Sequence, residues 1–219
     1  MRRRGISFCA DIDPKRFDLF QQRNQLPFPS RGGDSYTLED AFNLRLFLDA
    51  LDDHGVSLDL ARYAVQNGVR ELSMHPLRYP RSHGDMWVAA GMKAEPVKPG
   101  YEHALEDLPR SGDFVLTRFR VAGRLEDIHR LAAEECGHHE GYKVEGTGRQ
   151  IELVRLVALN ASRAADFVRD RARELGLPEG DDYTQPPGGE WPAWMAEDFE
   201  KAREIDEDLA ACLRKERDS

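Results

Sequence analysis

The stretch Asp11–Asn67, DIDPKRFDLFQQRNQLPFPSRGGDSYTLEDAFNLRLFLDALDDHGVSLDLARYAVQN, decides how the chain is read. Asp13 is a good N-cap and Pro14 suits the first helical position, so a helix is predicted over Pro14–Asn24. Phe17 and Phe20 fall on one face of it, while Lys15, Arg16, Gln22 and Arg23 project elsewhere. Asn24 tolerates the left-handed conformation that ends a helix, and Pro27 and Pro29 forbid continuation. Leu26–Ser30 and Ser35–Tyr36 then flank Arg31-Gly32-Gly33-Asp34, which reads as a hairpin tip carrying an exposed arginine.

Thr37-Leu38-Glu39-Asp40 resembles a capping box and opens a helix to about His54. Ala41, Leu44, Leu48 and Leu51 form its apolar stripe, with Phe47 beside it. Gly55 closes that helix, and Ser57 caps another that Asn67-Gly68 ends. Upstream, Ile6, Phe8 and Ile12 supply a short apolar helix or turn. Arg2, Arg3 and Arg4 either track a phosphate backbone or form a solvated terminus. Short helices around a glycine hairpin make a winged helix–turn–helix plan.

These residues resemble the DNA-binding domain of the MerR superfamily. The resemblance covers Ile6 to Asn67 and rests on Asn24-Gln25-Leu26-Pro27, the glycine hairpin, Tyr36-Thr37-Leu38-Glu39-Asp40, Leu44-Arg45-Leu46 and Gly55-Val56-Ser57-Leu58. It implies a second helix in the major groove and a wing against the backbone. Carried over by position, Lys15, Arg16, Gln22 and Arg23 face double-stranded DNA from the helix, and Arg31 and Tyr36 from the wing. The position where the family has an arginine holds Asp18, whose carboxylate either repels phosphate or accepts from a cytosine amino group. The family's long dimerisation helix has no counterpart after Gly68.

Charge distribution is compatible with this. The net charge is −9, but residues 180–219 hold 5 Lys/Arg against 12 Asp/Glu, whereas residues 1–72 hold 10 against 11. Lys15–Arg31 is locally basic, which predicts salt-dependent contact with DNA.

Beyond Leu72, Ser73–Gly84 reads as a linker, with Pro76, Pro80 and Gly84. Met86–Met92 and Asp113–Ala122 read as strands, separated by an irregular piece from Pro96 to Gly112. Leu125, Ile128, Leu131 and Ala132 stripe a helix to about Cys136. A glycine loop leads to a strand at Ile151–Leu159, and Ser162 caps a helix to Leu175. Strand–helix–strand–helix predicts a small sheet carrying helices. Asp181–Gly189 reads as a second linker. After it, Met195, Phe199, Ala202, Ile205, Leu209 and Cys212 form a heptad-like seam on an acidic helix.

The expected fold class is α+β, in three parts: a winged helix–turn–helix at 1–72, a sensing or assembly α/β domain at 73–179, and a tail helix at 180–219. No apolar run is long enough for a membrane span, and the N-terminus lacks a signal-peptide core. Cys9, Cys136 and Cys212 show no finger or disulfide spacing, so the cytoplasm is the expected compartment. Cys136-Gly137-His138-His139-Glu140 has metal-ligand residue types, but it reads as a polar helix end and no metal is expected. Trp87, Tyr101, Phe114 and Phe119 line a ligand pocket or build core.

With neither a nucleophile elbow nor a phosphate loop in context, the expectation is a non-catalytic transcriptional regulator needing no cofactor. A homodimer is expected, with a small-molecule effector or protein partner acting through the α/β domain or tail. The rivals are a phage-type recombination or packaging accessory protein, and a protein-interaction module that has lost DNA affinity.

Overall fold

The computed structural model describes residues 1–29, 36–72, 75–77, 84–97, 109–111, 113–137, 143–144 and 147–177. The hairpin tip at Arg31–Asp34, the ligand candidate Tyr101, His138–Glu140 and the tail seam lie outside the described residues.

The chain opens with α1 (Arg3–Ala10), which buries Ile6, Ser7, Cys9 and Ala10. Asp11 ends it in the left-handed conformation, φ 58°, and the Ile12 amide donates back to the Ser7 carbonyl at 2.9 Å. A short polar side chain makes that conformation tolerable without glycine. Asp13 then caps α2 (Pro14–Gln22), accepting from the Lys15 amide at 2.8 Å and the Arg16 amide at 3.3 Å. Asn24, at φ 52°, ends the turn that follows, as its residue type predicts. Phe17 and Phe20 are the buried side of α2, with Phe20 set edge-on to Phe47 at 5.4 Å.

Thr37 and Asp40 complete a reciprocal capping box at the start of α3 (Leu38–Leu48), at 3.0 and 2.8 Å. This helix is buried nearly all round: Phe42 and Leu46 are enclosed as fully as Leu44 and Phe47. It packs on α1 and also on the last helix of the unit, so its apolar surface is wider than a single stripe. Its end widens into a π-helical turn, Asp49–Asp53, and Gly55 reverses the chain at φ 57°. Ser57 caps α4 (Leu58–Tyr63), which runs into a second π-helical turn at Ala64–Gly68.

The sheet contains β1 (Met86–Pro96), β2 (Arg110–Ser111), β3 (Phe114–Arg124) and β4 (Glu152–Asn160), in the order β2-β3-β1-β4 with antiparallel neighbours. β1 lies between the two other long strands and is covered on both faces, which explains its unbroken apolar run. On one face α5 (Leu125–Glu135) sets Ile128 and Ala132 against Ala89, Phe119 and Val121. On the other, Gly68 lies so close to β1 that a Cβ there would fall 2.3 Å from Val88 Cγ1. Gly91 is similarly enclosed, its absent Cβ standing 2.4 Å from Phe119 Cζ and 2.5 Å from the Arg155 carbonyl oxygen.

The last helix, α6 (Ala161–Glu174), presents Ala161, Ala164, Ala165, Val168 and Ala172 inward. These small side chains let it pack closely on both α1 and α3. Its cap is Asn160, accepting from the Arg163 amide at 2.8 Å, rather than Ser162. Ser162 is buried and accepts instead from the Met86 amide at 2.9 Å, pinning α6 to the start of β1.

The expected boundary near residue 72 does not separate two compact units: Met1–Gly180 forms one. The described part of the linker segment folds inward. Leu77 is buried, the His75 ring meets Phe42 at 5.1 Å, and Arg169 donates to the Pro76 carbonyl. The described members of the aromatic set do not converge on one pocket either. Trp87 lies opposite Gly123 near one end of β1, Phe114 lies opposite Pro96 at the other, and Phe119 is core. Cys136 is buried against α5's own core, and burial pushes its thiol pKa up, so it is a protonated packing residue.

Candidate nucleic-acid interface

The α1–α2 pair is two helices joined by a three-residue turn, Asp11-Ile12-Asp13. Its inner sides meet α3 and the aromatic cluster of Phe17, Phe28 and Tyr36. That leaves Lys15, Asp18, Leu19 and Gln22, spaced i, i+3, i+4, i+7, as the outward stripe of α2. Lys15 and Gln22 are exposed, and Leu19 retains 41% of its surface, which is high for an apolar side chain on a short helix.

The charges around this stripe divide into two groups. Arg3 on α1 is ion-paired with Asp18 on α2, so the carboxylate that stands where the resembling family has arginine is neutralised within the helix pair. Arg16 forms a bidentate pair with Asp52, 2.7 Å for each bond, and its guanidinium lies 5.3 Å from the Phe20 ring centroid. That geometry raises the Arg16 pKa and holds the Asp52 carboxyl below its ordinary value, the hydrogen bond being the leading cause in both. Arg16 therefore ties α2 to the π-helical turn.

Arg2, Arg4, Lys15 and Arg23 are the second group. All four are exposed, and none has an ion-pair partner among the described residues. Arg2 and Arg4 line one concavity together with Ser7, Asp11 and Pro14, so they stand beside the start of α2. Arg2 and Arg4 are absent from the positional carry-over; the only sequence signal for them is the basic run itself.

Tyr36 is not at the surface. It keeps 2% of its area, with its ring set edge-on to Phe17 at 5.6 Å and near Phe28 at 6.1 Å. Burial raises its phenol pKa. Its place is the core that backs α2, and Arg31 lies outside the described residues.

The turn between α1 and α2 is also anchored from the far end of the unit. Asp11 receives Arg171 at 3.4 Å and Arg45 at 3.9 Å. Both guanidiniums lie over Phe167, at 5.4 and 4.6 Å, and Arg171 also lies over Phe8 at 4.8 Å. A second concavity, of about 370 Å³, is lined by Asp49, His54, Trp87, Arg163 and Phe167. Among the described residues no cluster of His, Cys, Asp or Glu is arranged to hold a metal ion. Nor is any described helix long and apolar enough to cross a membrane.

A scan against protein-family models finds no match, and a search of curated protein sequences finds none either.

Proposed function

We propose that the protein is a non-catalytic regulator that binds double-stranded DNA through α2. The observation that carries this reading is the α1–turn–α2 pair, whose outward stripe of Lys15, Leu19 and Gln22 is flanked by exposed Arg2, Arg4 and Arg23. In the bound state α2 enters the major groove. Gln22 supplies hydrogen bonds to base edges, and Leu19 supplies an apolar contact of the kind that thymine methyl groups accept. Arg2, Arg4, Lys15 and Arg23 neutralise phosphates and fix the register. Asp18, held by Arg3, is oriented without presenting a free carboxylate to the backbone. Control of transcription in the cytoplasm, through a dimer that sets half-site spacing, is the role such a module serves.

Selection of duplexes from a random-sequence pool tests this reading. The wild-type chain is expected to enrich a shared motif. Leu19→Ala and Gln22→Ala should each relax discrimination at one or two positions of it, by about 1–3 kcal/mol per base pair. Arg4→Ala should weaken all sequences alike. A pool with no enrichment after repeated rounds, from a chain shown to be folded, removes the sequence-selective reading.

A further inference from the structure

We propose that β4 is a homodimer interface, pairing antiparallel with β4 of a second copy about a twofold axis between Leu153 and Val154. In sheet order β4 is an edge strand with β1 as its neighbour. Its first half is open: Glu152 to Arg155 are all exposed, with Leu153 at 41% and Val154 at 54% of full exposure. Among the described residues no strand pairs with this edge, and an open edge beside adjacent exposed apolar side chains is a template for another strand.

The occupant follows from the register. A twofold axis normal to the sheet preserves its faces, so residues opposed across it must share a face. In a regular strand that rule forbids pairing Glu152 with Arg155, because side chains alternate. β4 is not regular. Arg155 lies opposite Met92 and Leu153 opposite Lys93, which leaves Val154 as an extra residue in a bulge. The bulge resets the alternation. Glu152, opposite Ala94, and Arg155, opposite Met92, now share the face away from α5. Ile151 and Leu156 both pack into the α5-side core and so share the other face.

Self-pairing about Leu153 and Val154 therefore sets Glu152 against the partner's Arg155 and Ile151 against the partner's Leu156, each twice. At these positions charge meets opposite charge and apolar meets apolar. Shifting the register by one residue opposes charged and apolar side chains. Among the described residues Glu152 has no ion-pair partner, and Arg155 reaches the His54 carbonyl at 3.4 Å. Both charges are thus available to the second copy.

The test is the solution mass of the full chain by light scattering and sedimentation across a concentration series, without DNA. It stands whether or not the DNA reading does. Wild type is expected to be dimeric. Glu152→Arg and Arg155→Glu should each weaken the dimer about tenfold or more, since like charges then oppose twice. The double reversal should restore it. Val154→Arg, a substitution at an exposed axial position, should also give monomer. A monomeric wild type would mean that the bulge and charges keep this edge unpaired, and would overturn the proposal. So would single reversals that remain dimeric, or a double reversal that fails to rescue.

Discussion

Arg16 and Lys15 are neighbours of the same charge type with different tasks. Arg16 is committed to Asp52, and the depressed Asp52 pKa gives that pair a sign in pH. A carboxyl depressed in the folded state contributes stability that is present above its unfolded pKa and is lost as pH falls through the folded value. Arg16→Ala is expected to return the Asp52 carboxyl toward its ordinary titration, followed by NMR, and to flatten this part of the acid-side stability profile. Because both partners are exposed, the stability change should be small. Gly91→Ala is the opposite case. Its Cβ would meet a packed ring and a backbone oxygen, so we expect a loss of about 3 kcal/mol in a denaturant melt. A residue's type shows its charge but not its partner. Asp52 is far from Arg16 in sequence, as Tyr36 is from Phe17, and in both cases what decides the role is packing between separate elements. Asn24, by contrast, was legible, because its left-handed turn is a local property of one residue.

Elements were legible where local chemistry sets them. The Thr37/Asp40 box, the Asp13-Pro14 start, Gly55 and Ser57 all delimit helices at the positions their residue types predict. Thr37→Ala is expected to cost about 1 kcal/mol, read as a lower melting temperature, since it leaves the Asp40 amide unsatisfied. Ser162 illustrates the limit. Ser is a good cap, but Asn160 stands two residues earlier with the right geometry, and the Ser162 hydroxyl is drawn to the Met86 amide across the fold. The π-helical turns and the bulge in β4 carry no periodic signal, because each inserts a single residue into an otherwise regular pattern.

At the scale of the molecule, the prolines and glycine of Ser73–Gly84 read as a linker between domains, yet α6 packs on α1 and α3 and its Arg171 holds Asp11. Nothing in residues 1–72 announces that their apolar surface is completed by a helix so distant in sequence. A fragment ending at Leu72 is therefore expected to show no cooperative thermal transition, in contrast to the chain that retains α6. A sharp two-state melt of that fragment would show that the helical layer folds alone. The central claim, that the α1–α2 face is an electrostatic footprint for duplex DNA, is tested most directly by a salt titration of binding to random duplex. Four phosphate contacts per protomer, eight in the dimer, predict a linear fall of log affinity with log salt, on the order of ten-thousandfold between roughly 50 and 200 mM. Arg2→Ala, Arg4→Ala and Lys15→Ala should each reduce the slope by about one per protomer, about two for the dimer, while Arg16→Ala leaves it unchanged. Binding that is absent, or insensitive to salt, would contradict the account.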